Sequence, residues 1–209
     1  FLKYSLSKNE LTLEKYWDID PEKQDKHFSE TDALEKFNHL LTTSVKRRLR
    51  SDVAIGTSLS GGLDSSSLVA IASSFTNSPL TAFTASFPQF EKDESTYAKQ
   101  VAEQFKLHHF STSITGDDLV NDWEKLCYHQ EAPFGSASIY AQYKVYELTK
   151  QQGIKVLLDG QGADETLAGY HKYYKWYWQE LFRNRKLSRS KEIKAAKELG
   201  ITEKFDFKN

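Results

Sequence analysis

The period of apolar positions changes several times along the chain. Residues 1–16 alternate: Leu2, Tyr4 and Leu6 precede Ser7-Lys8-Asn9-Glu10, and Leu11 and Leu13 lead to Tyr16-Trp17. Period two on both sides of a polar turn predicts a two-stranded hairpin. A lone hairpin is marginal in water, so these residues either pack on the main domain or, the favoured expectation, are the tail of an upstream domain. Residues 18–27, with Pro21 and mixed charges, read as a linker. From Ser29 the period lengthens. Ser29-Glu30-Thr31-Asp32 has the form of a capping box, and Leu34, Phe37, Leu41, Val45 and Leu49 recur at helical spacing. The basic cluster Lys46-Arg47-Arg48 suits the negative end of that helix.

Apolar runs then alternate with helical stretches. Strands are predicted over 53–59, 80–87, 108–114 and 154–158. Helices are predicted after each of the first two, from Thr115 to about Gln130, and from Ser138 to about Gln152 with Gly153 as the stop. Strands separated by helices of this length predict an α/β fold class, a Rossmann-like parallel sheet with helices on both faces, which binds ligands beyond the carboxyl ends of its strands. The adjacent His108 and His109 fall on a strand, where neighbours face opposite ways, so they read as strand residues and not as a metal pair. Beyond Tyr170 an aromatic cluster, Tyr173-Tyr174, Trp176-Tyr177-Trp178 and Phe182, recurs at helical spacing and predicts packing against a further helical region. A basic, polar stretch follows, with Gly200 as a stop.

Two loops carry candidate chemistry. Ser60-Gly61-Gly62-Leu63-Asp64-Ser65-Ser66 joins the first of these strands to an apolar helix, an arrangement that aims backbone N–H groups and the positive helix end at an anion above the sheet. The glycines permit close approach and the serines add donors. Asp64 would repel a bare phosphate, so the reading adds Mg²⁺ bridging its carboxylate to the phosphates of a nucleotide. A turn that merely caps its helix through Ser60 or Asp64 is the competing reading. With glycine near 7% of average usage, the S-G-G-x-D-S pattern would arise by chance on the order of once in several thousand chains. Asp159-Gly160-Gln161-Gly162-Ala163-Asp164-Glu165 leaves the last strand in the same manner. If both loops share a sheet end, Asp64 and Asp164 can hold the cation jointly. A helix start enriched in acids for dipole reasons is the alternative there.

Composition narrows the classes. The chain has 209 residues, 39% of them apolar and 13% aromatic, enough to bury a core. A net charge of −1 gives no global attraction to nucleic acid or to an anionic membrane, and no stretch approaches the roughly 20 apolar residues of a spanning helix. The single cysteine, Cys127, excludes an internal disulfide framework and reads as a small core residue. The cytoplasm is the expected location. The chain contains no methionine, even at position 1, which suggests a piece of a longer protein.

The first loop resembles the pyrophosphate loop of ATP pyrophosphatases. Together with the second loop, Ala168-Gly169-Tyr170, Pro133-Phe134 and Ile139-Tyr140, it makes residues 30–175 resemble the synthetase domain of asparagine synthetases. The resemblance implies an adenine nucleotide alpha hydrolase-like fold. It implies ATP and Mg²⁺ as cofactors, adenylation of an aspartate carboxylate, and displacement of AMP by ammonia. It also implies an upstream glutaminase domain that frees the ammonia from glutamine, with residues 1–20 as its end, residues 21–175 as the synthetase domain and 176–209 as a helical tail. Ser60, Gly61, Gly62, Asp64 and Ser65 would hold the pyrophosphate and its cation with Asp164. Ser58, Ala85, Asp159 and Gly160 would line the adenosine side. The chain departs from the family in three places. Gln161 stands where the family usually carries a Glu, and an amide cannot serve as a general base. Ser58 and Asp159 replace residues that are commonly apolar or a plain Ser. The family's downstream phosphate-contacting Lys has no convincing equivalent in residues 176–209. Amidation of another carboxylate, adenylation of a tRNA or nucleotide, and a non-catalytic nucleotide-binding module are the alternatives. The near-neutral charge and single cysteine weigh against tRNA. The expected partners are small molecules, without nucleic acid or membrane, and the expected assembly is a homodimer.

Overall fold

The structure is a computed structural model that describes residues 1–20, 23, 28–88, 90–187 and 191–201. The chain divides into two compact units, Phe1–Thr43 and Ser44–Asn209. The first contains the predicted hairpin, β1 (Leu2–Ser5) and β2 (Glu10–Leu13), paired antiparallel with Leu2 opposite Leu13 and Tyr4 opposite Leu11. Most of the predicted linker lies outside the described residues. α1 (Glu30–Arg48) begins where the capping box places it: the Ser29 hydroxyl accepts from the Asp32 amide at 3.1 Å and the Asp32 carboxylate accepts from the Ser29 amide at 3.2 Å. Its apolar stripe is less buried than the spacing predicts. Val45 is buried, while Leu34 and Phe37 stand exposed.

The second unit is built on four strands, β3 (Ile55–Ser58), β4 (Thr81–Ser86), β5 (His108–Ser113) and β6 (Val156–Leu158), in the order β5-β4-β3-β6 and all parallel. Between them run α2 (Leu63–Ser73), α3 (Ser95–Gln104), α4 (Gly116–Gln130) and α5 (Ser138–Gln151). After β6 follow α6 (Ala163–Leu167), α7 (His171–Arg183) and α8 (Glu192–Glu198). Strands β3, β4 and β5 step outward in one direction, and the chain then returns across the sheet to lay β6 on the far side of β3. Right-handed crossovers put helices on opposite faces when the direction reverses, and the core agrees. Leu59, Val69, Ala82, Ala98 and Ala102 form one cluster with α2 and α3, whereas Ala85 joins Ile114, Leu126 and Tyr140 in the cluster of α4 and α5. Ala82 and Ala85 are three apart on β4 and so face opposite sides.

The α4 start is a full capping box, with Thr115 and Asp118 exchanging hydrogen bonds, and the hydrogen bond from Thr115 holds the Asp118 carboxyl below its ordinary pKa. Cys127 is half-buried and its neighbour Leu126 takes the core position. The aromatic tail finds the helical neighbour the pattern predicts: Trp178 and Leu181 of α7 are buried with Ala196 of α8 and Ile201.

Candidate active site

Strand order puts the two candidate loops side by side. β3 and β6 are neighbours with Thr57 opposite Leu158, and the strand order reverses here, with β4 on one side of β3 and β6 on the other. Such a point, where strand order reverses, opens a crevice at the carboxyl end of a parallel sheet. Three contacts join the loops there. The Thr57 hydroxyl donates to the Leu158 carbonyl at 2.8 Å, and the Ser58 amide donates to Asp159 Oδ1 at 3.3 Å. A Cβ at Gly160 would stand 3.1 Å from both the Asp64 Cβ and the Ser65 nitrogen, so a glycine lets the second loop lie against the start of α2 without displacing it.

The first loop is tied to itself. The Ser65 hydroxyl stands 3.3 Å from the Ser60 amide, 3.0 Å from the Ser60 hydroxyl and 3.2 Å from the Gly62 carbonyl, and the Ser60 hydroxyl also accepts from the Gly62 amide at 3.2 Å. Ser65 is buried and acts as the loop's internal strut. Gly61 has φ of +88°, and a Cβ there would come within 2.5 Å of the Ala98 nitrogen and 2.8 Å of the Tyr97 Cβ. Glycine is therefore needed both for the turn and for the approach to α3. The helix-capping alternative does not hold: the N-cap of α2 is Gly62, with no side-chain cap hydrogen bond, and neither Ser60 nor Asp64 fills that role. The first-turn amides of α2 are left without a side-chain cap, as an anion site requires.

The second loop is tied outward. Asp159 spends a carboxylate oxygen on Ser58, and Gln161 is exposed. Asp164 turns back over the end of α6, where a Cβ at Gly169 would fall on its carboxylate; the Gly169 amide donates to the Asp164 carbonyl at 2.9 Å. Tyr170 donates to Glu165 at 3.0 Å, a bond that raises the phenol's pKa. Lys172 Nζ lies 4.9 Å from the ring centre of Tyr170, 5.5 Å from that of Tyr173 and 5.6 Å from that of Trp176.

The ladder gives the direction of the Ala85 backbone. His108 and Ile114 donate to the carbonyls of Leu80 and Ser86, which turns the even-numbered amides of β4 toward β5 and the odd-numbered ones toward β3. On the β3 side Leu59 donates to the Phe83 carbonyl at 2.8 Å. The next amide facing that way is Ala85, at the point where β3 turns into the loop.

Several neighbours escape a reading by motif. Tyr97 and Ala98 wall in Gly61. Asp93 accepts from the Ser95 hydroxyl at 2.6 Å, a bond that lowers its pKa, and from the Phe87 amide at 3.1 Å, tying the end of β4 to the start of α3. Thr84 interrupts an apolar strand, and a buried hydroxyl in such a run is itself a signal that a partner is near. The structure gives it two, Leu59 and His109, while His108 is exposed. Burial, aided by Lys99, lowers the pKa of His109. An apolar cavity of about 460 Å³ opens beyond the ends of β4 and β5, lined by Phe87, Phe90, Ile114, Leu119 and Tyr140 among others. Among the described residues no three His, Cys, Asp or Glu side chains gather as a metal cluster, and no helix is long and apolar enough to cross a membrane.

The chain is similar to several known proteins. A Methanocaldococcus jannaschii protein named for glutamine-hydrolysing asparagine synthetase is 33% identical over 183 residues, 87% of this chain and 35% of that one. Asparagine synthetase [glutamine-hydrolyzing] 1 of Bacillus subtilis is 35% identical over 130 residues, 62% of this chain and 20% of that one. Amidase chyE of Penicillium rubens is 29% identical, covering 76% of this chain and 26% of the relative. The chain thus spans between about a fifth and about a third of the length of these relatives. Among solved structures, the glutamine-dependent NAD+ synthetase of Acinetobacter baumannii in complex with adenosine diphosphate covers 81% of this chain and 31% of that one, at 16% identity and a TM-score of 0.48. Residues 36–204 match the asparagine synthase family, and with that match the chain belongs to it.

Proposed function

We propose that this domain binds Mg-ATP across the two loops, transfers AMP to a carboxylate with release of pyrophosphate, and lets ammonia form the amide as AMP leaves; the aspartate side chain is the proposed carboxylate and asparagine the product. The observation that carries the reading is the packing of Gly160 on Asp64, which brings both acidic loops to one crevice at the sheet's switch point. In this reading the uncapped start of α2, with Gly61, Gly62 and the Ser60 and Ser65 hydroxyls, receives the pyrophosphate. The Ala85 and Gly160 backbones, with Ser58 and Asp159, line the adenosine side. A carboxylate is a poor acyl donor, and the work of the site is to align it with the α-phosphate and to stabilise the departing pyrophosphate. Asp64 and Asp164 are two hard oxygen donors, too few for an all-protein cage but suited to a cation shared with phosphate oxygens. Mg²⁺ held there supplies charge neutralisation to the leaving group. Gln161 orients by hydrogen bonding and leaves proton removal from the attacking amine to another group. Around this domain the reading places an upstream glutaminase domain as the ammonia source, a cytoplasmic location and a homodimer.

The apolar cavity beyond β4 and β5 favours a second reading of the acceptor, a carboxylic acid with a larger apolar body. Pyrophosphate release from Mg-ATP by the full-length protein, with and without aspartate, glutamine or ammonium, tests both. Aspartate-dependent release with AMP formed supports the first reading. Release that needs an apolar acid instead supports the second. ATP binding without any release would overturn both and leave a nucleotide-binding module.

A further inference from the structure

Thr84 is 2% exposed in the middle of β4. Its hydroxyl lies 2.6 Å from the carbonyl oxygen of Leu59 and 2.8 Å from Nε2 of His109, one strand to the other side. A hydroxyl has one hydrogen, and a carbonyl can only accept it. The hydrogen therefore goes to Leu59, and His109 must donate its Nε2–H to the Thr84 oxygen. The three groups form a one-way chain from imidazole to hydroxyl to carbonyl, each bond polarising the next.

The end of that chain is the peptide that begins the first loop. The Leu59 amide donates to Phe83 within the sheet, while the Leu59 carbonyl, where the sheet ladder stops, is held by a side chain. The Leu59–Ser60 peptide is planar, so fixing its carbonyl also fixes the direction of the Ser60 N–H. That N–H points to the Ser65 hydroxyl at 3.3 Å, the strut on which the rest of the loop hangs. Orientation thus passes from β5 through β4 into the loop.

We infer that Thr84, oriented by His109, is a positioning residue that sets the plane of the Leu59–Ser60 peptide and with it the aim of the loop's amides. The inference rests on the reading of this loop as the phosphate site. Its test uses the full-length chain in two measurements: hydrogen exchange across residues 59–66 without ligand, and Mg-ATP affinity. Thr84→Val keeps the shape of the side chain and deletes the hydroxyl. It is expected to speed exchange in 59–66 by about tenfold, the loss of one buried hydrogen bond, to leave β5 unchanged, and to weaken Mg-ATP by a similar factor. Thr84→Ser restores both. His109→Phe removes only the outer donor and should produce the same pattern at a few-fold, which keeps the test available if the valine variant does not fold. Unchanged loop exchange in both variants, or acceleration spread evenly over the sheet, overturns the inference. If the wild type binds no Mg-ATP while the exchange pattern appears, the phosphate reading fails and the positioning role stands.

Discussion

The loops after β3 and β6 leave adjacent parallel strands at the same sheet end, yet they are held in opposite ways. The first closes on itself, with Ser60, Gly62 and Ser65 bonded to one another and Gly61 pressed against α3. The second has one bond to another element, Asp159 on Ser58, and is otherwise tied to the residues that follow it, Asp164 over Gly169 and Glu165 under Tyr170. A self-bonded loop keeps its backbone donors fixed whatever approaches, which suits a group of constant shape such as pyrophosphate. The second loop carries the exposed Gln161, which the proposed function assigns to the amidation step.

Substitutions separate the two loops. The largest effect is expected at Gly61→Ala, which puts a Cβ within 2.5 Å of the Ala98 backbone at a φ of +88°. Strain of about 1–3 kcal/mol plus the clash should lower Tm by several degrees and remove Mg-ATP binding; a variant with wild-type affinity would show that the first loop is not rigid. Asp64→Ala leaves the loop's bonds in place and should reduce pyrophosphate release at least about a hundredfold, in the range of a lost electrostatic group in a site, with Tm little changed. Equal activity would remove Asp64 from the site. Gln161→Glu acts only on an exposed side chain of the second loop. It should raise ammonia-dependent amide formation about tenfold or more, within the range for a positioned base, and leave ATP-dependent adenylation unchanged; an equal rise in both would deny the division of labour. Asp159→Ala costs the Ser58 amide its acceptor, about 1 kcal/mol, and should weaken Mg-ATP a few-fold by calorimetry. The smallest effect lies away from both loops. Hydrogen bonding from Tyr140, at 2.7 Å, holds the Asp122 carboxyl below its ordinary pKa. A depressed folded-state pKa adds stability above the unfolded value near 3.9 that is lost as pH falls below it. Tm measured from pH 6 to 3 should therefore drop less in Asp122→Asn than in the wild type.

The strands, the α1 capping box and the hairpin were all legible from period and cap chemistry, because each is decided by residues within one turn or one pleat. The two loops were legible too, as small and acidic residues at the ends of apolar runs. That they touch follows from strand order, which spacing alone does not specify. The sequence pattern could not reveal that Ser65 serves as a strut, since a serine in a glycine loop has the same composition whether its hydroxyl faces a ligand or its own backbone. It could not pair Thr84 with His109, which are 25 positions apart and meet only through the β4–β5 register. The exposed Leu34 and Phe37 of α1 show the reverse error. A helical stripe predicts that a face is apolar, and not which neighbour covers it.

The Thr57–Leu158 bond joins residues 101 positions apart. A chain emerging from the ribosome therefore carries its first loop for the synthesis of some hundred residues before β6 exists to complete the crevice. Closing so long a segment is among the slower steps of folding. A nucleotide that needs both loops would bind only after that step, and its arrival would stabilise the finished sheet by mass action. Nucleotide capture by the nascent chain would then serve as a clock for the completion of the domain.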